Sequence, residues 1–481
     1  MKKLRKFLSE IRIIQGGMGV KTADWRLART VSKLSKKGRR ILGTVSGTAL
    51  DEVVVLMLKK NGEDAAEICR IWRNSPRKII RDMGEEIIER YLGKPNASSQ
   101  MFSFNPPRKL IELNICANYA FAALAKEGHD EWVSMNYLEK IAMPHLSSIF
   151  GAMLAGIDFI TMGAGIPHQI PGVIDAFMEG RPATYKIPVI GGEDFEMVFD
   201  PKEFFGEEII LTKRPGFIPI VSSVALAQRL CKTLKGKIYG FVVEEPTAGG
   251  HNAPPRNKIE YGEKDIVDYN KIAELGLPFW IGGSYASPKK LMLALSKGAC
   301  GIQVGSIFAF CEDSGMDPTI RKLIQQCGFN GRLEVFTDYH ASPTGFPFKV
   351  LLMEGTVSDE EIYLKRKRVC NRGALRVAYK KADGSYGYRC PSEPIKAYLL
   401  KGGKIEDTVG RKCVCNGLVA KAGLRLENEL QHEPAIITAG DQVAEKGNDN
   451  FFKHLMRAEN LTYYASDALK YLLRDYNRRF K

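Results

Sequence analysis

The sequence predicts an α/β fold, a closed TIM (β/α)8 barrel followed by an α-rich C-terminal extension. Two observations lead to this fold class. Short apolar segments recur through the first two thirds of the chain, and helix-like segments lie between most of them. Several apolar segments end in glycine or serine, as parallel strands do where their carboxyl ends face a ligand. A doubly wound parallel sheet is the alternative, because a count of strands does not prove closure.

Eight apolar segments are predicted as barrel strands. In chain order they are residues 11–15, 41–45, 110–116, 159–162, 217–221, 238–243, 278–281 and 301–304. Most are rich in Ile, Val and Phe, which fit a buried strand. Longer segments with helical character separate most of them, so the pattern favours parallel strands joined by helical connections.

Helices are predicted between the strands wherever apolar residues recur every three or four positions. Residues 50–107 are helix-like, with a clear candidate at 79–91. A further helix is expected before the last strand, because Ser287 can cap it, Pro288 suits its first turn and Gly298 can end it.

Two segments do not fit a plain barrel. Residues 173–214 are longer than a usual connection and predict an elaborated loop or small insertion near the active face. The composition changes again near residue 355, so we assign 1–354 to the barrel and 355–481 to a basic, cysteine-containing extension. The end of this extension, near 466–476, has apolar residues at helical spacing and is expected to pack on the parent domain.

Composition limits the classes of function. The 481 residues are 44% hydrophobic and 26% charged, as in soluble globular proteins of more than one domain. The net charge of +15 favours anionic partners without choosing among small acids, carrier proteins and nucleic acid. No apolar run approaches the ~18 residues of a membrane span, and the basic start lacks the apolar core of a secretory signal. The scattered cysteines fit a reducing compartment, so we expect a cytoplasmic protein with no membrane partner.

Small residues follow three of the predicted strands. They are Ala248-Gly249-Gly250, Gly282-Gly283 and Gly305-Ser306. Glycines let backbone N–H groups approach a ligand closely, and a helix N-terminus adds a positive dipole for phosphate. His251 directly follows the first of these groups. A loop histidine often serves structure alone, but the carboxyl end of a barrel strand is where catalytic groups gather.

The ordered motifs AGGH at 248–251, GG at 282–283 and IQVGS at 302–306 resemble the nitronate monooxygenase (2-nitropropane dioxygenase-like) family. IIQGGM at 13–18 and SPTG at 342–345 extend the resemblance, which covers roughly the first 350 residues. This family is related to the flavin-type enoyl-acyl carrier protein reductases, and its members are FMN-binding TIM barrels. The resemblance therefore implies an FMN-dependent flavoprotein with oxidoreductase activity.

The resemblance also implies roles for particular residues, and His251 matches the family's catalytic histidine. The residues implied in FMN binding are Gly17, Met18, Gly19, Asn114, Glu244, Gly249, Gly250, Gly282, Gly283, Gln303, Val304, Gly305 and Ser306. Taken without the resemblance, Asn114 is a strand-end residue that satisfies its own backbone. Glu244 stands where many members have glutamine and would place an anion near the flavin unless it is paired or displaced. Ser306 keeps the hydroxyl of the family's threonine.

The implied reaction is the oxidation of alkyl nitronates with O2 to a carbonyl compound and nitrite. His251 would bind the anionic nitronate or take a proton from the carbon of a neutral nitroalkane. His168 follows a loop similar to the family's glycine–proline loop and is a second candidate for substrate contact. The alternative within the fold is an NAD(P)H-dependent enoyl-thioester reductase, because a basic surface would suit an acidic carrier protein. The expected partners are a small anionic or thioester substrate and O2 or NAD(P)H, and a homo-oligomer is left open.

Two features of the extension allow other functions. The basic run 365–368 has tyrosines nearby and would suit nucleic-acid binding, although such a run is usually a solvated face. Thiolates can also bind zinc or an iron–sulfur cluster. The extension contains Cys370, Cys390, Cys413 and Cys415. The paired C-x2-C spacing of a zinc ribbon is missing, so we expect buried reduced thiols and no metal.

Overall fold

Eight parallel strands close into a barrel in the computed structural model, which describes residues 8–257, 260–429 and 433–480. The strands up to the end of the barrel are β1 Ile11–Gln15, β2 Arg40–Ser46, β3 Val133–Leu138, β4 Phe159–Gly163, β5 Ala183–Ile187, β6 Val189–Ile190, β7 Phe195–Phe199, β8 Gly216–Val221, β9 Phe241–Glu244, β10 Phe279–Gly282 and β11 Gly301–Val304. All but β5, β6 and β7 belong to the barrel, and β11 closes on β1 with Ile302 beside Ile13. The predicted TIM barrel is confirmed, and the doubly wound alternative is wrong.

Helices connect the strands in the first half of the barrel. They are α1 Trp25–Lys33, α2 Leu50–Lys60, α3 Glu63–Arg73, α4 Lys78–Tyr91, α5 Arg108–Lys126, α6 His145–Leu154 and α7 Ile170–Met178. Asp24 begins α1, because its carboxylate accepts hydrogen bonds from the backbone N–H groups of Arg26 and Leu27. The helical prediction for 50–107 is confirmed as far as the end of α4.

The third barrel strand is not where the sequence predicted it. Residues 110–116 lie inside α5, and the strand is β3. Most side chains of α5 are buried, because α1 to α4 and α6 all pack around it. A helix that is buried on most sides has a weak amphipathic period, and over a short window it cannot be distinguished from a buried strand.

The second half of the chain adds helices and four further strands. They are α8 Pro201–Phe205, α9 Val224–Thr233, α10 Tyr269–Ala273, α11 Pro288–Ser296, α12 Ser306–Ala309, α13 Pro318–Phe329, β12 Glu334–Asp338, β13 Phe348–Leu352, α14 Glu360–Lys365, β14 Val377–Lys380, β15 Tyr386–Arg389, α15 Ile395–Leu400, α16 Val414–Lys421, α17 Phe451–Leu455, α18 Ala465–Leu472 and α19 Arg474–Arg479. Ser287 caps α11 and Pro288 is its first residue, as expected. The extension thus contains strands as well as helices.

The segment between β4 and β8 is joined to the extension. Strands β5 and β7 form an antiparallel pair, whereas β6 pairs with β14 in parallel. The ring of Phe195 on β7 stacks on Phe104 with 4.1 Å between ring centroids, and Tyr386 of β15 meets Phe104 edge-on at 5.0 Å. Segments distant in the sequence therefore form one layer beside the barrel mouth.

The end of the chain packs on the barrel, as predicted from its apolar spacing. The Tyr463 hydroxyl donates a hydrogen bond to the carbonyl of Ile307 at 2.8 Å. Helix α18 buries Leu469 and Leu472 and packs against α1 and α11.

Two arginines of the basic run 365–368 face inward. The Arg366 side chain lies against the buried Glu433, with Nε 3.0 Å from Oε1. Arg368 donates to the backbone carbonyls of Pro391 and Thr408 at 3.2 and 2.9 Å. Both arginines thus hold parts of the extension together, and the run does not form a continuous exposed basic face.

Two expectations concern membranes and secretion. Within the described ranges, no helix combines the length and the apolar character needed to cross a bilayer. The basic residues at the very start, which bear on the secretory-signal expectation, lie outside the described residues.

Candidate active site

A cavity of about 460 Å³ opens at the carboxyl ends of the barrel strands. Loops after β1, β3, β4, β9, β10 and β11 line it, together with parts of the C-terminal extension. This is the end of the barrel where TIM-barrel enzymes place their active sites, and the volume lies in the usual range of ligand pockets, ~300–1,000 Å³. The cavity is therefore the candidate active site.

The cavity brings together the predicted catalytic residue His251 and most of the predicted FMN-binding residues. Those that line it are Gly17, Met18, Gly19, Glu244, Gly249, Gly250, Gly282, Gly283, Gln303, Val304, Gly305 and Ser306. Asn114 and the second substrate-contact candidate, His168, do not line the cavity. His168 is exposed, with Nδ1 3.1 Å from the carbonyl oxygen of Ile166.

The prediction for Asn114 fails because its segment is a helix. Its side-chain amide donates to the Ser147 and Ser148 hydroxyls at 2.7 and 2.9 Å, which ties α5 to α6. The asparagine that lines the cavity is Asn136, on β3. It accepts a hydrogen bond from the Thr161 hydroxyl at 2.9 Å. The sequence signal available for Asn136 was its position as a polar residue in the second half of a short segment of mixed polar and apolar residues.

The turn after β1 requires a residue without a Cβ atom at position 17. A Cβ atom on Gly17 would lie 2.3 Å from the Cβ of Asn136, which no side chain tolerates. A Cβ on Gly305, which follows the neighbouring strand β11, would lie 3.4 Å from the sulfur of Met18. The glycines thus keep backbone at the cavity wall and leave the Met18 thioether as its apolar surface.

The extension covers the loops that follow β9, β10 and β11. Thr438 accepts a hydrogen bond from the N–H of Gly250 at 2.7 Å, and the Ser306 hydroxyl accepts one from Gly440 at 2.9 Å. The side-chain oxygen of Gln442 accepts from the N–H of Ala286 at 2.7 Å. The sequence analysis missed this segment, because nothing in residues 438–442 indicates which loops it contacts.

One donor at this end of the cavity fits a phosphorylated cofactor. The Nε2 atom of Gln442, a residue that lines the cavity, is buried and has no hydrogen-bond partner among the described residues. A buried donor without a partner costs roughly 1–3 kcal/mol, which a ligand oxygen would recover. Gly283 has a φ of +102°, and a Cβ there would lie 2.9 Å from the Thr247 hydroxyl oxygen. The glycine loop and the Gln442 amide therefore suit the phosphate end of FMN.

His251 is held by a short chain of hydroxyl groups. Its Nε2 atom lies 2.7 Å from the Ser342 hydroxyl, which lies 2.8 Å from that of Thr344. The ring also packs edge-on against Phe348, with 4.8 Å between centroids. Burial lowers the pKa of His251 to about 4, so the imidazole is neutral at pH 7. The other ring nitrogen, Nδ1, has no hydrogen-bond partner in the described part of the chain, and His251 lines the cavity.

Glu244 lines the cavity as a neutral acid rather than as the expected anion. Burial raises the pKa of its carboxyl to about 8. At pH 7 most molecules therefore carry a protonated Glu244, which can donate one hydrogen bond as a glutamine amide would. The departure from the family's glutamine is thus compatible with a flavin nearby.

We expect Glu244→Gln to stabilise the protein at pH 9 and to have much less effect at pH 5. The folded-state pKa lies above the ordinary value of 4.5, so the folded state holds this proton more tightly than the unfolded state. That stabilisation is fully present below the ordinary pKa and is lost as the pH rises through 8. Thermal melts of the native protein and of Glu244→Gln from pH 5 to pH 9 measure this pH dependence of stability. Melting temperatures that change with pH in parallel in the two proteins would contradict the raised pKa. Glu260→Gln, at an exposed site, is the control.

Lys421 is a charged residue of the cavity that the sequence analysis missed. It lies on α16, is 2% exposed, and its Nζ atom donates to the carbonyl of Gly19 at 2.9 Å and to the Thr22 hydroxyl. Burial lowers its pKa to about 7, so the ammonium and the neutral amine coexist near neutral pH. The cavity therefore contains a titratable cation next to the β1 turn.

No protein-family model and no curated protein matches the chain. Matching solved structures include FabK from Thermotoga maritima, at 12% identity over 99% of this chain and 96% of that chain, with a TM-score of 0.49. A nitroalkane oxidase from Streptomyces ansochromogenes matches at 11% identity over 99% of both chains, with a TM-score of 0.45. The enoyl reductase domain of MlnA from Bacillus amyloliquefaciens matches at 10% identity over 100% and 99%, with a TM-score of 0.48. At these identities and scores the similarities carry no argument about activity.

Proposed function

We propose that the chain is an FMN-dependent oxidoreductase that oxidises alkyl nitronates with O2 to a carbonyl compound and nitrite. The observation that carries this proposal is the position of His251, which lines a glycine-lined cavity at the carboxyl ends of the barrel strands and whose Nδ1 has no hydrogen-bond partner among the described residues. The motif resemblance of the first 350 or so residues supports the same reaction.

The chain's own residues suit the binding of FMN. The loops with Gly283 and Ser306, together with Gln442, would hold its phosphate, and the β1 turn with Met18 offers an apolar surface. FMN, when bound, supplies the electron transfer from substrate to O2. The protein contributes position, charge and exclusion of water.

His251 would act on the substrate carbon. A neutral imidazole whose Nε2–H donates to Ser342 presents a lone pair at Nδ1, which can take the proton of a neutral nitroalkane. Because burial depresses the pKa of free His251, the imidazolium formed has to be stabilised by the nitronate anion that arises beside it. The ammonium form of Lys421 adds a positive charge in the same cavity and favours anionic substrates.

An NAD(P)H-dependent enoyl-thioester reductase is the second candidate. One part of the cavity has an apolar wall that is larger than a short nitronate needs. It is lined by Met101, Phe102, Ile141, Met143, Ile187, Leu375 and Leu418. Such a wall favours a substrate with a hydrocarbon chain, because burial of apolar surface contributes roughly 25 cal/mol per Å².

The visible spectrum of the purified protein, recorded without oxygen, tests both candidates. We expect flavin bands that a nitronate bleaches and that NADH and NADPH leave unchanged. Rapid bleaching by a pyridine nucleotide would favour the enoyl reductase instead. A protein without flavin bands that also fails to bind added FMN would contradict both candidates.

A further inference from the structure

The loop that enters β13 lies directly against His251. Residues 339–347 connect the antiparallel strands β12 and β13. At the end of this loop the backbone of Phe348 pairs with that of His251, and the N–H of Asn252 donates to the carbonyl of Pro347 at 2.9 Å. This backbone pairing fixes where the Cα atom of His251 lies. The rotation of its imidazole ring depends on side-chain contacts instead.

The hydroxyl group of Ser342 is the polar contact that orients this ring. Its oxygen lies 2.7 Å from the Nε2 atom of His251. Ser342 is fully buried, its oxygen lies 2.8 Å from the Thr344 hydroxyl, and it accepts a hydrogen bond from the Thr344 N–H at 3.3 Å. A hydroxyl has one hydrogen and two lone pairs. With Ser342 donating to the Thr344 hydroxyl, its second lone pair accepts from the Nε2–H of His251, which leaves the ring's lone pair on Nδ1.

Arg411 of the extension holds the Ser342 loop from its other side. The Nη1 atom of Arg411 donates to the carbonyl oxygens of His340 and Ser342 at 2.8 and 2.5 Å. The N–H of the next residue, Lys412, donates to the carbonyl of Ala341 at 2.9 Å. Two adjacent residues of the extension therefore bind three successive carbonyls of the loop. The position of the Ser342 hydroxyl thus depends on a segment 69 residues further along the chain.

The same loop is also bound through its N–H groups. The Asp338 carboxylate accepts hydrogen bonds from the N–H groups of His340 and Ala341, both at 2.8 Å, and its other oxygen lies 2.8 Å from the Nζ atom of Lys412. Gly410 has a φ of +70°, and a Cβ there would lie 2.7 Å from the Cβ of His340, so the two segments are in close contact. Such a rigid arrangement suits the support of a base, because a displacement of ~1 Å can lower a rate ~100-fold.

We propose that Ser342 is a positioning residue for His251 and that Arg411 acts through Ser342, so that the extension sets the orientation of the base. Neither Ser342 nor Arg411 lines the cavity, so neither has to touch the substrate. In catalytic triads, likewise, a third group orients the base. The kinetic effect of this arrangement rests on the function proposed above, whereas the orientation of the ring can be measured without any reaction.

Steady-state rates of Ser342→Ala and Arg411→Met, with a neutral nitroalkane and with its nitronate, test the kinetic effect. We expect kcat for the neutral nitroalkane to fall at least ~10-fold in Ser342→Ala and by a smaller factor in Arg411→Met, because the base is then poorly oriented. KM should stay within about twofold, and turnover of the nitronate, which is already deprotonated, should fall less.

Ser32→Ala is the matched control. Ser32 is also fully buried, and its hydroxyl donates to the carbonyl of Trp132 at 2.9 Å, but it does not line the cavity or contact His251. Its replacement also removes one buried hydroxyl group and should leave both rates within about twofold of the native values. Equal losses of turnover in Ser342→Ala and Ser32→Ala would overturn the inference.

The imidazole N–H signal gives a readout that does not depend on turnover. In NMR spectra of full-length protein with ¹⁵N-labelled histidine, we expect His251 to carry its proton on Nε2, and the loss of this signal in His251→Asn identifies it. Ser342→Ala should replace it by the signals of two exchanging tautomers, whereas Ser32→Ala should retain it. A native protein with the proton on Nδ1, or an unchanged ring signal in Ser342→Ala, would overturn the inference. A native protein that shows the Nε2–H signal but does not turn over nitroalkanes or nitronates would contradict the proposed function alone.

Discussion

Replacement of His251 by asparagine should lower turnover of a nitroalkane at least ~100-fold while the protein keeps its fold and its FMN. General base catalysis typically contributes 10²–10⁴-fold, and asparagine has no group that can take up a proton at neutral pH. The asparagine amide can still donate to Ser342, so the chain of hydroxyl groups keeps one partner. Steady-state rates with a neutral nitroalkane and with its nitronate measure the effect. Turnover of the nitronate should fall less than turnover of the neutral nitroalkane, because the nitronate is already deprotonated.

His168→Asn is the matched control for this experiment. His168 is also a loop histidine after a barrel strand, but it is exposed and does not line the cavity. Its replacement should leave turnover within about twofold of the native value, as expected for a surface substitution. Unchanged turnover in His251→Asn would remove His251 from the mechanism. A loss in His168→Asn as large as that in His251→Asn would mean that the loop after β4 closes on the substrate.

The barrel was predictable because its strands are short and are bounded by glycines and polar residues. Seven of the eight barrel strands overlap the apolar segments that predicted them. The first and the last of these strands, β1 and β11, close the barrel with Ile13 beside Ile302. The third strand was missed because a helix buried on all sides and a buried strand look alike over a few residues. Tertiary packing decides such cases. In this chain, five neighbouring helices pack around α5.

The candidate site was predictable only where it consists of strand ends. Glycines and His251 follow the strands directly in the sequence, so their meeting follows from the barrel alone. Lys421 and Gln442 reach the cavity from the extension, more than a hundred residues after the last barrel strand. Their position depends on long-range contacts, such as the hydrogen bond from Lys421 to Gly19, which no local pattern encodes.

The extension thereby completes the cavity that the barrel begins. The barrel supplies the glycine loops and His251, whereas the extension supplies the hydroxyl that fixes Gly250, the amide that contacts Ala286 and the cation at the β1 turn. A change in the packing of the extension would therefore alter the cavity.

Replacement of Gly283 by alanine should weaken FMN binding by about 100-fold with a modest loss of stability. Its φ of +102° is unfavourable for any residue with a Cβ, and the added carbon would lie 2.9 Å from both the Glu245 Cβ and the Thr247 hydroxyl oxygen. The loop can relieve this contact only by moving, which takes its N–H groups away from the phosphate. A loss of about 2.8 kcal/mol of binding energy corresponds to this factor, since each 1.4 kcal/mol is tenfold.

Gly276→Ala separates backbone strain from loss of the site. Gly276 also has a positive φ, +68°, but a Cβ there meets nothing within 4 Å, and the residue does not line the cavity. Both variants should melt at lower temperature, because a left-handed backbone costs a residue with a Cβ roughly 1–2 kcal/mol. Fluorescence titration of the flavin-free proteins with FMN should show weaker binding in Gly283→Ala alone. Equal affinity in the two variants would mean that the loop after β10 does not hold the phosphate.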